Sequence, residues 1–435
     1  MTHHNRARRR LATVAIPMAA GLLLAACGGS SSGGGSSNGG EEPKTISFAF
    51  GSANPGEHHF QDIAAAYEKA HAGVKINIQK LPGESYATAI ATRVQGGNAP
   101  DVFQAEAGSG QTDAVGNFAK ANLLLKLSDP AVKSAFPAGE DPSQFMYNNE
   151  VVAVPIATAV NGVIYNDDLA KQNGVNVTAA STLDDVINQC ATAKSKGKAI
   201  FGLAGAVPAN PGIATMELAA STVYGPTPDW DAQRKANKVT FAGTPGWKTA
   251  LESMKRLYDA QCFQPGAVGA GFDALTNGAG QGKLFGFFAP SGAAKNIMDA
   301  AGGHVKLVIL PFPAPAGTKT YLSVSSDIVV AGSAKTKSPK LVADFLKFFQ
   351  SAEGSKLVAD GQGSIPTTAS AGNATLLPQY APVEDMIKNK DTRGFGTINW
   401  PNGKVYDALG SGATGVLTGQ KTPDDVLKQM DSAWR

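Results

Sequence analysis

Two serine motifs in this chain have the spacing of acylating enzymes, and neither sits where that chemistry could run. Ser195-Lys196-Gly197-Lys198 has the serine-to-lysine interval of penicillin-binding enzymes, but it closes a helical segment and the companion motifs are missing. Gly29-Ser30-Ser31-Ser32-Gly33 matches Gly-x-Ser-x-Gly inside a glycine and serine run that cannot build the strand and helix of a nucleophile elbow. Gly278-Ala279-Gly280-Gln281-Gly282-Lys283 is rich in glycine, yet it lacks both the phosphate-loop spacing and a Ser or Thr after Lys283, so it reads as a helix cap. His58 and His59 are neighbours whose rings point apart on most backbones, and four histidines lie beyond residue 26. No metal site and no cofactor is expected from that set. None of these motifs carries an enzymatic reading.

The N-terminus supplies an address and an anchor. Arg6, Arg8, Arg9 and Arg10 precede the apolar run 11–26, which is interrupted by Pro17 and, at 16 residues, is shorter than the roughly 20 of a membrane span. It ends in Leu24-Ala25-Ala26-Cys27, which resembles the bacterial lipobox, where the cysteine becomes the lipid-modified first residue. Residues 1–26 therefore read as a lipoprotein signal peptide, Cys27 as the lipidation site, and 27–43 as a Gly/Ser-rich flexible tether. Export places Cys190 and Cys262 in an oxidising compartment, so a disulfide between them is expected, the alternative being two separate buried thiols.

Four of the 38 basic residues fall in the first 26 positions, where there is no acidic residue, leaving 34 basic against 35 acidic groups in the rest. A chain so balanced offers no basic stripe for nucleic acid, which is excluded as a partner. At 435 residues and 43% apolar there is ample material for a packed core.

From Lys44 onward, strand and helix periodicities alternate. Residues 45–50, 74–79 and 101–104 read as strands, with helices at 60–70 and 86–95 between them. Later helices are expected at 183–196, 249–260, 339–351 and 420–434, and later strands at 305–310 and 327–331. Phe345, Phe348 and Phe349 are expected in the core, and Trp230, Trp247 and Trp434 in structural or surface positions. Alternation of this kind indicates α/β sheets with crossover connections.

The run Gly96-Gly97-Asn98-Ala99-Pro100-Asp101-Val102-Phe103 resembles the turn and strand of extracellular solute-binding proteins of bacterial ABC importers, the sugar-binding group that includes maltose-binding protein. Residues 151–168, 181–197, 343–367 and 420–434 resemble later segments of that family in the family's order. The resemblance implies an α/β, two-lobed periplasmic-binding-protein fold of class II, with several chain crossings at a hinge and the solute held between the lobes. It places lobe one at 44–157 plus 322–365 and lobe two at 158–321 plus 366–435.

On this resemblance, ligand contacts are expected from Glu57 and His58 after the first strand, Glu106 after the third, Asn210 and Ser291 in small-residue loops, and Arg393, Trp400 and Tyr406 in the late loop and helix. Trp400 is expected to offer an aromatic face to a sugar ring. Asp101 is expected to be structural, bonding backbone amides in its own turn. Ala159 stands where maltose-binding protein carries a glutamate for its sugar. The implied function is that of a monomeric, lipid-anchored binding protein on the outer face of the cell membrane, which captures a mono- or disaccharide and passes it to ABC permease subunits. A polyamine or polyol phosphate is the alternative solute, and a secreted hydrolase the alternative class.

Overall fold

The computed structural model describes residues 42–52, 58–134, 136, 141–300, 302–367 and 376–434. The signal peptide, Cys27, the tether and Glu57 lie outside these residues. Among the described residues the strands are β1 (Thr45–Ser52), β2 (Lys75–Pro82), β3 (Val102–Ala105), β4 (Met146–Tyr147), β5 (Glu150–Val151), β6 (Val154–Tyr165), β7 (Ala199–Gly202), β8 (Leu284–Pro290), β9 (Val308–Leu310), β10 (Leu322–Gly332), β11 (Ile365–Pro366) and β12 (Thr392–Gly394). Ten of them join in one mixed sheet whose main order is β2-β1-β3-β10-β6-β8-β7. β11 and β9 pair with β6, β12 pairs with β10, and β4 and β5 form a separate ribbon.

The alternating pattern is borne out as a mixed α/β fold. Parallel neighbours such as β1–β2, β1–β3 and β7–β8 are linked through helices, which cover the apolar faces of the strands. β6 and β10 are the long elements at the centre. They pair antiparallel from Ser323 opposite Asn161 to Val330 opposite Val154, with register shifts near Ser326 and Ile328. All twelve residues of β6 are buried, as expected for a strand with neighbours on both edges.

Buried side chains gather on the two ends of these long strands. Ile46, Phe48, Phe60, Val102, Phe345 and Phe349 form one cluster beside β1, and Ile90, Phe103 and Phe118 belong to another on the same end. At the other end Phe201, Phe285, Phe288 and Phe312 pack around Cys190 and Cys262, while Trp230, Phe241, Trp247, Trp400 and Trp434 form an aromatic core. The disulfide between Cys190 and Cys262 is present.

Most expected elements recur within a few residues, and the differences have local causes. The helix expected over 339–351 stops at Phe348, because Ser351 caps a new helix, Ala352–Gln362, by accepting from the Gly354 amide at 3.0 Å. The helix Leu183–Ser195 starts on a reciprocal cap in which Thr182 and Asp185 each bond the other's backbone N–H. Asp101 is structural, but it works over long range rather than within its own turn. Its Oδ2 accepts from both the amide and the hydroxyl of Ser47 at 2.8 Å, and its Oδ1 from Thr336 at 2.7 Å. Among the described residues no helix is long and apolar enough to cross a membrane.

Candidate functional site

Segments far apart in sequence converge beside the first part of β10. Asp141 caps the short turn Pro142–Gln144, accepting from the Ser143 amide at 2.9 Å, and so fixes Gln144 at the end of that turn. Tyr224 follows the helix Ala209–Thr222, Asp231 lies in the short helix Trp230–Lys235, and Arg393 sits on β12. With Ser325 of β10, these residues line a cavity of about 130 Å³. Ser325 is itself tied to β6, its hydroxyl accepting from Asn161 Nδ2 at 3.0 Å.

Asp231 is the most constrained group here. Its Oδ1 accepts from Tyr224 Oη at 3.0 Å and from Trp400 Nε1 at 3.2 Å, whereas Oδ2 accepts no hydrogen bond from the described residues. Burial pushes its carboxyl up to about 7, with the two donors and Lys235 pulling the other way and Asp141 adding to the rise. Burial and the neighbouring Asp231 also hold Tyr224 well above the usual phenol range, so it remains a hydroxyl donor. A Cβ at position 396 would stand 2.0 Å from Tyr224 Oη and 3.1 Å from Asp231 Oδ2, so only Gly396 lets the late loop pass over this pair.

Gln144, also lining the cavity, is 6% exposed, and its Oε1 has no hydrogen-bond partner among the described residues. Arg393 stacks 3.8 Å above the Tyr321 ring and donates from Nε, Nη1 and Nη2 to the carbonyls of Tyr224, Thr392 and Gly225. Three of its five N–H groups are thus spent on the protein and two remain. One edge is closed by the loop after β3, where the Ser109 amide donates to Ile398 O at 3.2 Å. That approach depends on Gly108, which has φ 68° and whose Cβ would lie 2.2 Å from Ile398 O. Acceptors, amides and a few N–H donors in a largely buried space suit a neutral polar solute with several hydroxyls. The volume is below the roughly 300 Å³ of small ligand pockets, so a whole solute needs the walls to part.

Of the seven described residues expected as ligand contacts, Arg393 is the one that lines this cavity. Three of the expected residues are fully buried in structural positions. Asn210 is 0% exposed and staples strand ends together, Oδ1 accepting from the Ala204 amide and Nδ2 donating to Phe288 O. Ser291 is 0% exposed, its hydroxyl accepting from the Val160 amide and from Tyr380. Trp400 is 0% exposed and packs against Phe241, Trp247 and Trp434, with no face available to a sugar.

The remaining residues are placed elsewhere. His58 is exposed at the helix start, 2.6 Å from Asp62, and Glu106 is half-buried in the turn after β3. Tyr406 is half-buried, its ring against Gly212 and its hydroxyl donating to Ala209 O. Sequence reasoning missed Asp231, Gln144 and Tyr224. The one local signal was an aspartate directly after a tryptophan in a short polar segment. A larger groove of about 880 Å³ lies beside the disulfide, lined by Lys198, Asp259 and Lys283 among others, but all of its lining falls within residues 194–284.

The sheet order and the paired long strands β6 and β10 define a binding-protein type of α/β fold. Solved structures share it. One, from work on xylan utilization by the thermophilic bacterium Caldanaerobius polysaccharolyticus, superposes with a TM-score of 0.75 at 20% identity over 89% of this chain and 99% of that one. The solute-binding protein RafE in complex with raffinose gives a TM-score of 0.71 at 20% identity, over 90% of this chain and 98% of that one. Residues 56–356 match the family of bacterial extracellular solute-binding proteins, and the chain belongs to that family. An uncharacterized ABC transporter extracellular-binding protein of Pyrococcus horikoshii is 26% identical over 151 residues, a match that spans 33% of this chain and 33% of the relative's length.

Proposed function

We propose that this protein is the carbohydrate-capturing component of an ABC importer, held at the outer face of the cell membrane by a lipid on Cys27 and delivering its solute unchanged to permease subunits. The observation that carries this reading is the cavity itself, which is lined by Asp141 and Gln144 from one stretch of the chain and by Tyr224, Asp231 and Arg393 from others far away in sequence. In the proposed arrangement 44–157 plus 322–365 form one lobe and 158–321 plus 366–435 the other. Four buried clusters support that division, since those around Phe48 and Phe103 draw on the first set of residues and those around Phe201 and Trp247 on the second, while a fifth joins Leu322 and Ile365 to Val160, Ile164 and Tyr380 where the chain crosses. Hinge motion about β6 and β10 would open the cavity, and a sugar touching both walls would favour the closed state. The raffinose complex of RafE supports a sugar as cargo. A mono- or disaccharide is the size proposed.

Asp141 and Asp231 on one cavity favour a polyamine as the second reading, although Arg393 on the same wall opposes it. Thermal unfolding of the mature chain with glucose, maltose, xylobiose, raffinose, spermidine and glycerol 3-phosphate separates the two. A sugar at 100 times its dissociation constant adds about 2.7 kcal/mol, raising Tm by about 3 °C for a protein of this size. A shift with spermidine and none with any sugar would replace the cargo.

A further inference from the structure

The cavity presents two acceptors that the protein leaves without donors. Asp231 Oδ2 accepts nothing from the described residues although Oδ1 on the same carboxyl takes two hydrogen bonds. Gln144 Oε1, in a residue that lines the same cavity and is 6% exposed, has no partner either. Gln144 Oε1, buried and left this way, costs free energy unless something brings it a donor, whereas Asp231 is partly exposed and its Oδ2 is open to a solute. Both lie on one cavity, and Asp231 is held in place by Tyr224 and Trp400 before any solute arrives.

We propose that Asp231, together with Gln144, reads the hydroxyls of the sugar across the cavity, and that the ionised carboxylate is the form that binds, so that acidification releases the solute. This deepens the sugar-binding reading and rests on it. One hydroxyl donates to Asp231 Oδ2 and another to Gln144 Oε1, which requires a solute with two O–H donors placed to span the cavity. The free N–H groups of Arg393 then meet oxygen acceptors of the same solute.

Several titratable or charged groups surround Asp231. They are Tyr224 from the end of the helix Ala209–Thr222, Lys235 from its own helix, Asp141 from the cap of the Pro142–Gln144 turn and Arg393 from β12. None of these is a strong, close counter-ion to the carboxylate, so burial dominates and lifts it to about 7. A hydroxyl donating to Oδ2 favours the charged form and lowers the value in the complex. Binding below about pH 7 must therefore expel a proton. Affinity is full above that pH and falls as the pH drops, by up to about tenfold per unit.

The test is calorimetric titration of the mature chain with glucose, maltose, xylobiose and raffinose, at about pH 8 and about pH 5.5. Wild type is expected to bind at least one of these sugars about tenfold or more tightly at the higher pH. Asp231→Asn, which keeps the shape and the acceptor for Tyr224 and Trp400, is expected to bind it weakly and equally at both. Gln144→Leu is expected to weaken binding while keeping the pH dependence. Unchanged affinity and pH profile in Asp231→Asn would overturn the assignment while leaving the sugar reading intact. Should Asp231→Asn fail to fold, a flat wild-type profile between the two pH values overturns it equally. Absence of wild-type binding to every sugar at both pH values would overturn the sugar reading, and this assignment with it.

Discussion

Trp400→Ala is expected to lower folding stability by about 3–5 kcal/mol, the usual cost of emptying a buried aromatic site. The indole is fully buried and its ring lies 5.4 Å from Phe241, 6.0 Å from Trp247 and 6.2 Å from Trp434. Those neighbours come from three different segments, so collapse into the cavity is restricted and the upper part of the range applies. With about 2.1 cal/mol/K of unfolding entropy per residue, the loss corresponds to a fall in Tm of about 4–6 °C. Trp400→Phe keeps most of the packing but removes the Nε1–H donor to Asp231, so it is expected to melt close to wild type. A Trp400→Ala protein that melts with wild type yet has lost all sugar binding would mean that the indole serves the solute and not the core.

Removing the Cys190–Cys262 bridge has a similar expected cost by a different route. The disulfide closes a loop of 72 residues, which on chain-entropy grounds restrains the unfolded chain by about 4 kcal/mol. Both cysteines are buried among Phe201, Phe263 and their neighbours, and the bridge joins the helix Leu183–Ser195 to the segment leading toward the helix Phe272–Gly280. The Cys190→Ala, Cys262→Ala double variant is expected to lose most of that amount in equilibrium denaturation, together with a small packing term. Sugar affinity should change little, since neither cysteine lines the cavity beside Asp231. A double variant as stable as wild type would show that the unfolded chain is already restrained elsewhere.

Much of the fold was legible because strands and helices write their period into the sequence. β1, β2 and β3 and the helices His59–Ala70 and Leu183–Ser195 lie within a few residues of the expected segments. The alternation of strand and helix periods pointed to the α/β class, and the order of the Gly96–Phe103 motif and the later segments, together with the lipobox, pointed to the family. The site was far less legible, for a physical reason. Trp400 in a loop looks the same on paper whether it faces a sugar or three other aromatics, and only the fold brings Phe241, Trp247 and Trp434 around it.

Asn210 and Ser291 were sensible polar candidates, but buried strand ends need their amides and carbonyls satisfied, and these side chains are the nearest groups able to do so. Asp231 and Gln144 face one cavity only after the chain has crossed between them, a pairing that no local spacing encodes. Arg393, which the family pattern had marked in the late loop, lines the same cavity.

The most direct measurement is a crystal structure of the protein with the sugar that gives the largest rise in Tm. The sugar is expected between the Pro142–Gln144 turn and the Tyr224–Asp231 segment, with hydroxyls on Asp231 Oδ2 and Gln144 Oε1. A sugar seated instead in the groove of Lys198, Asp259 and Lys283, with the cavity beside β10 unchanged, would contradict the account.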